Sequence, residues 1–457
     1  MKKSILVMFF IANFFLTIKA QCTKFYDFDS INGSTPLGSI ISDGTFMYGM
    51  TLFGGTNDLG IIFKIKPDGT GFSKLLDFAG STNGSNPWGS LISVGAFLYG
   101  MTPGGGANNK GVIFKIQPDG TGYSKLHDFI GTDGSSPNGD LFSDGTFLYG
   151  MTSNGGANGY GVVFKIMLDG TGYSKLIDFA GTSNGSYPHG SFISDGTFLY
   201  GMTNGGGSSN YGTIFKIKPD GTGYLKLLDL TGTANGKYSG STLVSDGTFL
   251  YAITRNGGIN NMGVIIKIKP DGTNFSKLLD FTGANGCTPM GSLIFDGTFL
   301  YGTTRYGGAD SSGVIFKIKS DGTNYVNLLD FASASVGKNP FSTFISDSTY
   351  LYGMTAYGGI NGYGTIFKYA LVTNGITEKN TSINFNIYPN PTKGTFTIVT
   401  KENDYRLIIT NVLGENVYQS ETKNQKSEID LSKQPKGIYF VKIFDSKEIR
   451  TKKVIVQ

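Results

Sequence analysis

The sequence predicts an all-β protein made of many short strands joined by tight turns. Of its 457 residues, 69 are glycine, 35 are phenylalanine and 25 are tyrosine. Runs of β-branched and aromatic residues are separated by Asp-Gly and Gly-Gly pairs, a pattern typical of strands divided by turns. Only 16% of the residues are charged, whereas disordered chains are rich in charge and poor in aromatics. A collagen-like chain is excluded, because glycine does not occur at every third position.

The first 20 residues are predicted to be a signal peptide that is cleaved after Ala20. Lys2 and Lys3 provide the positively charged start, and residues 5–17 form an apolar run. This run has about 13 residues, fewer than the ~20 needed to span a bilayer. No later stretch is long and apolar enough for a transmembrane helix. The sequence therefore predicts export and no transmembrane segment.

The charge of the chain gives little indication of a partner. The net charge is +5, and three of the basic residues belong to the predicted signal peptide. The remaining basic residues do not form a stripe that could neutralise many phosphates. Nucleic acid is therefore not a predicted partner.

A short segment of the form Asp-Gly-Thr-Phe-Leu-Tyr-Gly-Met-Thr recurs along the chain, five times closely and twice more loosely. Its central tyrosines are Tyr48, Tyr99, Tyr149, Tyr200, Tyr251, Tyr301 and Tyr352. They are spaced by 50 or 51 residues, so the chain contains seven units of nearly constant length. Repeats of this period indicate an array, a solenoid or a propeller.

Each unit is predicted to contain four strands. In the third unit the four predicted strands cover residues 140–143, 147–152, 161–166 and 173–179. Asp-Gly turns join the first strand to the second and the third to the fourth. Four antiparallel strands within 40 to 50 residues are typical of one propeller blade.

The two ends of the repeat region predict a closed ring. The last unit lacks a fourth strand, whereas residues 23–28 at the other end match the fourth strand of the first unit, residues 73–78. A closed ring requires this permutation, because the N-terminal strand then completes the last blade and removes an exposed edge. The sequence therefore predicts a seven-bladed β-propeller over residues 21–370.

The repeat resembles the GloVer tandem repeat of exported bacterial proteins with interchangeable C-terminal anchors. The resemblance lies in Leu-Tyr-Gly-Met-Thr, a following Gly-Gly pair, and Gly-Val-Ile-Phe-Lys-Ile, and it extends over residues 21–370. It implies an extracytoplasmic repeat protein and supplies no agreed ligand or activity.

Residue types shared by the units are predicted to be structural. An aspartate in the fourth strand occurs in all seven units, and we expect it to accept hydrogen bonds from the following loop or the next blade. If the first strand lines the axis, small polar residues face a central channel: Ser39, Ser90, Asp140, Ser191, Thr242, Ser292 and Thr343. Asp140 is the only acid among them. It is expected to be a solvated channel carboxylate, with water or cation binding as the alternative.

The variable loops are predicted to carry any binding site. Loops between strands two and three, and between blades, lie on the face opposite the Asp-Gly turns and differ most between units, as recognition loops do. The predicted ligand-binding residues are Trp88, Tyr160, His189, Tyr211, Arg255, Arg305, Tyr306, Tyr357 and Tyr363. Such aromatic, amide and charged groups suit a glycan or a protein partner. The alternative is that these rings only cover the blades.

Catalysis has weak support in the sequence. No nucleophile motif, nucleotide fingerprint or metal-ligand cluster is present, so neither a cofactor nor a metal is predicted. A glycosidase needs two carboxyl groups about 5–10 Å apart, whereas the acids of the variable loops are single residues on different blades. The favoured function is a binding or adhesion module. A polysaccharide-active hydrolase or lyase on a propeller scaffold is the alternative.

The two cysteines are predicted to remain unpaired. Blade topology places Cys22 near the short-turn face and Cys287 on the opposite face. A strand of six residues separates these faces by about 20 Å, whereas a disulfide needs α-carbons within about 7 Å.

The composition changes after residue 370. Residues 371–383 are predicted to be a linker, and residues 384–457 contain alternating strands that predict a small β-sandwich. Residues 384–457 closely resemble the type A C-terminal sorting domain of the type IX secretion system. The matching residues are Tyr388, Pro389, Asn390, Pro391, Gly414, Gly437, Tyr439, Lys452 and Lys453. The resemblance implies a bacterium of the Bacteroidetes group, the type IX machinery as a partner, and a location at the outer-membrane surface or outside the cell.

Overall fold

The computed structural model describes residues 21–332, 336–371, 385–401, 404–411, 415–444 and 449–457. The predicted signal peptide, nearly all of the predicted linker, and Gly414 lie outside these residues. The described residues are strands, turns and loops, and they form two compact units, one up to residue 371 and one from residue 385. The prediction of an all-β protein is confirmed.

The first unit contains seven antiparallel sheets: six have four strands in chain order, and the seventh has five strands. The first strands are Ile41–Ser42, Ile92–Val94, Phe142–Ser143, Ile193–Ser194, Val244–Ser245, Ile294–Phe295 and Ile345–Ser346. The second strands are Met47–Thr51, Phe97–Thr102, Phe147–Thr152, Leu199–Thr203, Leu250–Thr254, Phe299–Thr304 and Tyr350–Tyr357. The third strands are Ile61–Ile65, Val112–Ile116, Val162–Met167, Thr213–Ile217, Val264–Ile268, Val314–Lys319 and Thr365–Ala370. The fourth strands of units one to six are Ser73–Asp77, Ser124–Asp128, Ser174–Asp178, Leu225–Asp229, Ser276–Asp280 and Val326–Asp330.

The seventh sheet takes its outer strand from the start of the chain. Cys22–Asp27 pairs antiparallel with Thr365–Ala370, from Cys22 opposite Tyr369 to Asp27 opposite Thr365. A further short strand, Lys338–Pro340, pairs with the second strand of this sheet. The N-terminal strand thus completes the last blade, as the permuted repeat predicts, and covers an edge that would otherwise expose backbone groups.

Side chains join the sheets around the axis, since no backbone ladder runs from one sheet to the next among the described residues. The backbone N–H of Ser39 donates to Ser90 Oγ of the next unit at 2.8 Å, and equivalent links join unit two to three, four to five, five to six and six to seven. The last link returns to the start, because the N–H of Thr343 donates to Ser39 Oγ at 3.0 Å. These sideways bonds occupy the residues before each first strand, which explains why most first strands have only two residues.

Close approach at the axis requires a glycine at position 38, beside one of these links. A Cβ added to Gly38 would overlap the carbonyl of Gly89 in the neighbouring unit. Backbone cannot move aside as a flexible side chain can, so this position tolerates little more than a hydrogen.

The core lies between neighbouring blades. One cluster packs Tyr48 and Phe78 of the first unit against Leu98 and Phe114 of the second. The Tyr48 side chain is buried, and its hydroxyl donates to Asp43 Oδ2 at 2.7 Å. Burial and the neighbouring Asp43 carboxylate raise the pKa of Tyr48. This repeated tyrosine is therefore a core residue between blades.

The repeated aspartate of the fourth strand has a different partner from the one predicted. In the first unit, Asp77 Oδ1 accepts the N–H of Thr56 at 2.8 Å, and Asp77 pairs with Lys74 at 2.9 Å. Thr56 belongs to the loop between strands two and three of the same sheet. The expectation of bonds to the following loop or the next blade was wrong, because this loop folds back over the end of its own fourth strand.

The second compact unit is a β-sandwich of two antiparallel sheets. One sheet contains Phe385–Tyr388, Thr395–Thr400 and Lys426–Asp430, and the other contains Asn416–Thr422, Tyr405–Asn411, Gly437–Phe444 and Ile449–Val456. The two sheets bury a common core that includes Phe396, Leu407 and Val441. The strands alternate buried and exposed side chains, as expected for sheets that pack on one face.

Candidate binding site at the mouth of the channel

A cavity of about 190 Å³ opens at the axis of the propeller, on the side of the loops between blades. Each unit contributes the residue at one equivalent loop position to its wall: Leu37, Trp88, Asn138, His189, Gly240, Met290 and Phe341. Asn204 and Arg255, from loops between strands two and three, also line it. The two loop sets predicted to share one face therefore meet at this cavity.

One side of the wall is apolar. Units six, seven, one and two contribute Met290, Phe341, Leu37 and Trp88, and these units are consecutive because unit seven is hydrogen-bonded to unit one. Trp88 and Met290 pack against the buried cluster that contains Leu37 and Phe341. The rings of Trp88 and Phe341 meet edge to face, with centroids 6.1 Å apart. We call these four residues the apolar arc.

The opposite side is polar. Units three and four contribute Asn138 and His189, and Asn204 and Arg255 reach the cavity from their loops. Asn138 Nδ2 donates to Ser153 Oγ at 2.9 Å, and this hydroxyl donates to the carbonyl of Pro188 at 2.7 Å. These bonds hold the amide in one orientation toward the cavity. We call Asn138, His189, Asn204 and Arg255 the polar arc.

His189 is neutral at physiological pH. Burial, together with the nearby Arg255 guanidinium, lowers its pKa to about 4 from an ordinary value of 6.5. The polar arc therefore carries one positive charge, on Arg255. His189 offers an uncharged ring that can both donate and accept a hydrogen bond.

The stability of the protein is expected to fall between pH 6.5 and pH 4 because of His189. In this interval the unfolded chain binds a proton at His189 and the folded chain does not, so the free energy of unfolding rises with pH. The contribution is fully present above pH 6.5 and is lost toward pH 4. In urea titrations across this interval, the free energy of unfolding should decrease less in His189→Asn than in the unsubstituted protein. Asparagine is chosen because Asn138 occupies the equivalent position in unit three. An identical decrease in both proteins would contradict the assignment.

The ring of small polar residues, apart from Ser191, forms the floor of the cavity. Its members also line a second cavity of about 310 Å³ farther along the axis, so they face the channel as predicted. Asp140 Oδ1 accepts the N–H of Ser90, and burial raises the pKa of the Asp140 carboxyl. Asp140 is therefore a half-buried, hydrogen-bonded member of the ring.

The structure brings together three of the nine predicted binding residues. Trp88, His189 and Arg255 line the cavity, whereas the five tyrosines and Arg305 do not. The rim tyrosines are partly covered by neighbours: Tyr160 packs edge to face on Tyr187, with ring centroids 5.6 Å apart. With Tyr160, the predicted tyrosines outside the cavity, here called the rim tyrosines, are Tyr211, Tyr306, Tyr357 and Tyr363.

Arg305 lies beside the apolar arc. Its guanidinium carbon lies 4.7 Å from the ring centroid of Phe341 and 4.8 Å from that of Tyr306. Arg305 therefore packs against Phe341 of the cavity wall without lining the cavity itself. Its Nε is buried without a hydrogen-bond partner in the described part of the chain.

Sequence reasoning did not select Leu37, Asn138, Asn204, Met290 and Phe341 as site residues. Four of these occupy loop positions equivalent to Trp88. That equivalence was visible in the repeat and is the signal that could have found them.

Other reactive groups lie apart from the cavity. His127 Nε2 lies 2.9 Å from Asp133 Oδ2, and its ring stacks on that of Tyr173 with centroids 4.0 Å apart. Cys22 and Cys287 are both free thiols. Among the described residues, no group of three or more His, Cys, Asp or Glu side chains could hold a metal ion.

Two parts of the predicted sorting motif are hydrogen-bonded to each other in the second unit. Asn390 Nδ2 donates to the carbonyl of Lys453 at 2.8 Å, and Asn390 Oδ1 accepts the N–H of Ile455 at 2.9 Å. The Lys452 ammonium lies 5.4 Å from the ring centroid of Phe385. The Tyr-Pro-Asn-Pro turn is thus attached to the last strand.

Two family models match the chain. The Gloeobacter/Verrucomicrobia repeat matches residues 13–147, 141–294 and 230–410, which together cover most of the chain. The chain belongs to the Gloeobacter/Verrucomicrobia repeat family. The secretion system C-terminal sorting domain matches residues 386–457 of this repeat protein, which indicates export to the cell surface or secretion through the type IX machinery. No curated protein matches the chain.

Solved structures share the fold of this repeat protein. One is described as the extracellular domain of a one component system from B. thetaiotaomicron, with 12% identity, a TM-score of 0.52, and coverage of 88% of this chain and 47% of that one. Another, described as the extracellular domain of a hybrid two component system from B. thetaiotaomicron, has 12% identity, a TM-score of 0.51, and coverage of 84% and 45%. The chain thus spans about half the length of these proteins.

An oligogalacturonate lyase in complex with manganese has 10% identity and a TM-score of 0.48, with coverage of 77% of this chain and 90% of that one. The similarities at these identities concern the fold alone. Within the described residues, no helix has the length and apolar character required to cross a membrane.

Proposed function

We propose that this repeat protein is an exported glycan-binding module that holds one sugar unit in the axial cavity. The observation that carries the proposal is the division of the cavity wall into an apolar arc and a polar arc. A sugar ring has an apolar C–H face and a rim of hydroxyl groups. Aromatic and aliphatic side chains suit the face, while amide, imidazole and guanidinium groups suit the hydroxyls.

The size of the cavity supports a single ring-sized group. Pockets for drug-sized ligands have volumes of roughly 300–1,000 Å³, whereas this cavity has about 190 Å³. A single terminal sugar therefore suits a cavity of this size. The blades supply a rigid frame, since each wall residue is attached to a packed sheet.

Binding without turnover fits the composition of the cavity. Asp140 is the only acid among the residues that line it. Glycoside hydrolysis commonly uses two carboxyl groups about 5–10 Å apart. No specific observation on the described residues favours the hydrolase or lyase alternative.

Trp88→Ala is expected to weaken glycan binding at least tenfold, because it removes the largest ring of the apolar arc. A tenfold change corresponds to about 1.4 kcal/mol. The measurement is a glycan array followed by calorimetry on the mature chain, with product analysis of each bound glycan. Tyr160→Ala is the matched control, since it removes a rim ring outside the cavity. Equal affinity of Trp88→Ala and the unsubstituted protein, or release of glycan products, would contradict the proposal.

A further inference from the structure

Unit five departs from the repeat at one position of the cavity wall and supplies a cation to the same cavity. Its loop between blades reads Ser239-Gly240-Ser241, where five other units have Pro-X-Gly and the last has Pro-X-Ser. Gly240 therefore leaves the wall without a side chain. A Cβ built there would meet only the Cβ of His189, at 3.8 Å. The wall thus has an opening between His189 and Met290.

The same unit supplies Arg255. The equivalent residues of the other units are Leu52, Pro103, Ser153, Asn204, Arg305 and Ala356. Arg255 is exposed, and it is the only cationic residue that lines the cavity, since His189 is neutral. No acidic side chain of the described residues lies within ion-pair distance of it. Asp140 is engaged elsewhere, with the N–H of Ser90.

We infer that the bound sugar carries an anionic substituent, a carboxylate or a sulfate, which Arg255 holds at the opening left by Gly240. This inference rests on the proposed glycan-binding function and specifies its ligand class. A guanidinium presents paired donors that match two oxygens of such an anion, and charge-assisted bonds of this kind are stronger than neutral ones. Asn204 and neutral His189 can then hydrogen-bond the sugar hydroxyls without competing for the charge.

The test compares acidic glycans with their carboxyl-reduced and desulfated forms, using calorimetry on the mature chain. We expect affinity to fall at least tenfold when the anionic group is removed from the glycan, and equally in Arg255→Gln. Carboxyl reduction and desulfation separate the two sources of the charge. Lys338→Gln is the matched control, because it removes a positive charge from the loop between blades that precedes unit seven, and Lys338 does not line the cavity.

Gly240 provides a second variant that removes no existing contact. Gly240→Phe should abolish binding by filling the opening, since phenylalanine occupies the equivalent position in unit seven. Gly240→Ala should bind as the unsubstituted protein does. Circular dichroism of both variants checks that they fold.

Two results would overturn the inference in different ways. The first is equal affinity for neutral and acidic glycans that is lost in Gly240→Phe but retained in Arg255→Gln. This result would contradict an anionic ligand and leave the proposed glycan-binding function standing. The second is the absence of any glycan binding that depends on Trp88 and Gly240. This result would contradict both the anionic-ligand inference and the proposed function.

Discussion

Deletion of residues 385–457 is expected to prevent the repeat protein from reaching the cell surface. These residues contain the sandwich that matches the secretion system C-terminal sorting domain. The sandwich has its own buried core, which includes Phe396, Leu407 and Val441. Its core is separate from the clusters between blades, so the deletion removes the sorting signal and leaves those clusters intact.

Whole-cell labelling and fractionation in a bacterium with type IX machinery measure this effect. The truncated protein should accumulate inside the outer membrane, while the intact chain is exposed or released. Fusion of residues 372–457 to a periplasmic carrier is the matched control, and it should transfer surface exposure to the carrier. Normal surface exposure of the truncated chain would contradict the assignment of this domain.

The fold could be predicted in detail because the sequence contains seven copies of one unit. In the third unit the predicted second strand, residues 147–152, is the observed Phe147–Thr152. The predicted first strand, residues 140–143, shortens to Phe142–Ser143, because the preceding residues bond sideways around the axis. The strand propensity of a residue does not determine which group its backbone N–H will hydrogen-bond.

The site was only partly predictable, for a geometric reason. The order of strands shows which loops share a face but not how far each residue lies from the axis. Trp88 and His189 occupy the loop position that reaches the axis, whereas Tyr160 and Tyr363 belong to loop tips that pack against neighbouring blades. Radial position depends on how each loop folds back, as the contact between Asp77 and Thr56 also shows.

The charge at the cavity illustrates the same limit. The sequence places an arginine and a histidine on one face, and ordinary pKa values would leave His189 partly charged in mildly acidic conditions. Only the packed structure shows that burial and Arg255 keep it neutral. The distinction between one positive charge and two therefore required coordinates.

Phe28→Ala is expected to destabilise the propeller by about 3–5 kcal/mol, the usual cost of removing a buried phenylalanine side chain. Phe28 directly follows the N-terminal strand and is fully buried. Its ring meets Phe63 of the first unit edge to face, with centroids 5.4 Å apart. The residue therefore joins the completed seventh blade to the first, and its loss should weaken the closure of the ring.

Phe179→Ala is the matched comparison. Phe179 occupies the equivalent position in unit three, is equally buried, and meets Phe215 of unit four with centroids 5.6 Å apart. If the N-terminal strand serves as a full blade strand, the two substitutions should lower the free energy of unfolding by similar amounts in denaturant titrations. Phe53→Ala, at a ring that is 41% exposed, should change it by no more than about 0.5 kcal/mol. A cost for Phe28→Ala close to that of Phe53→Ala would mean that the propeller is stable without its closing strand.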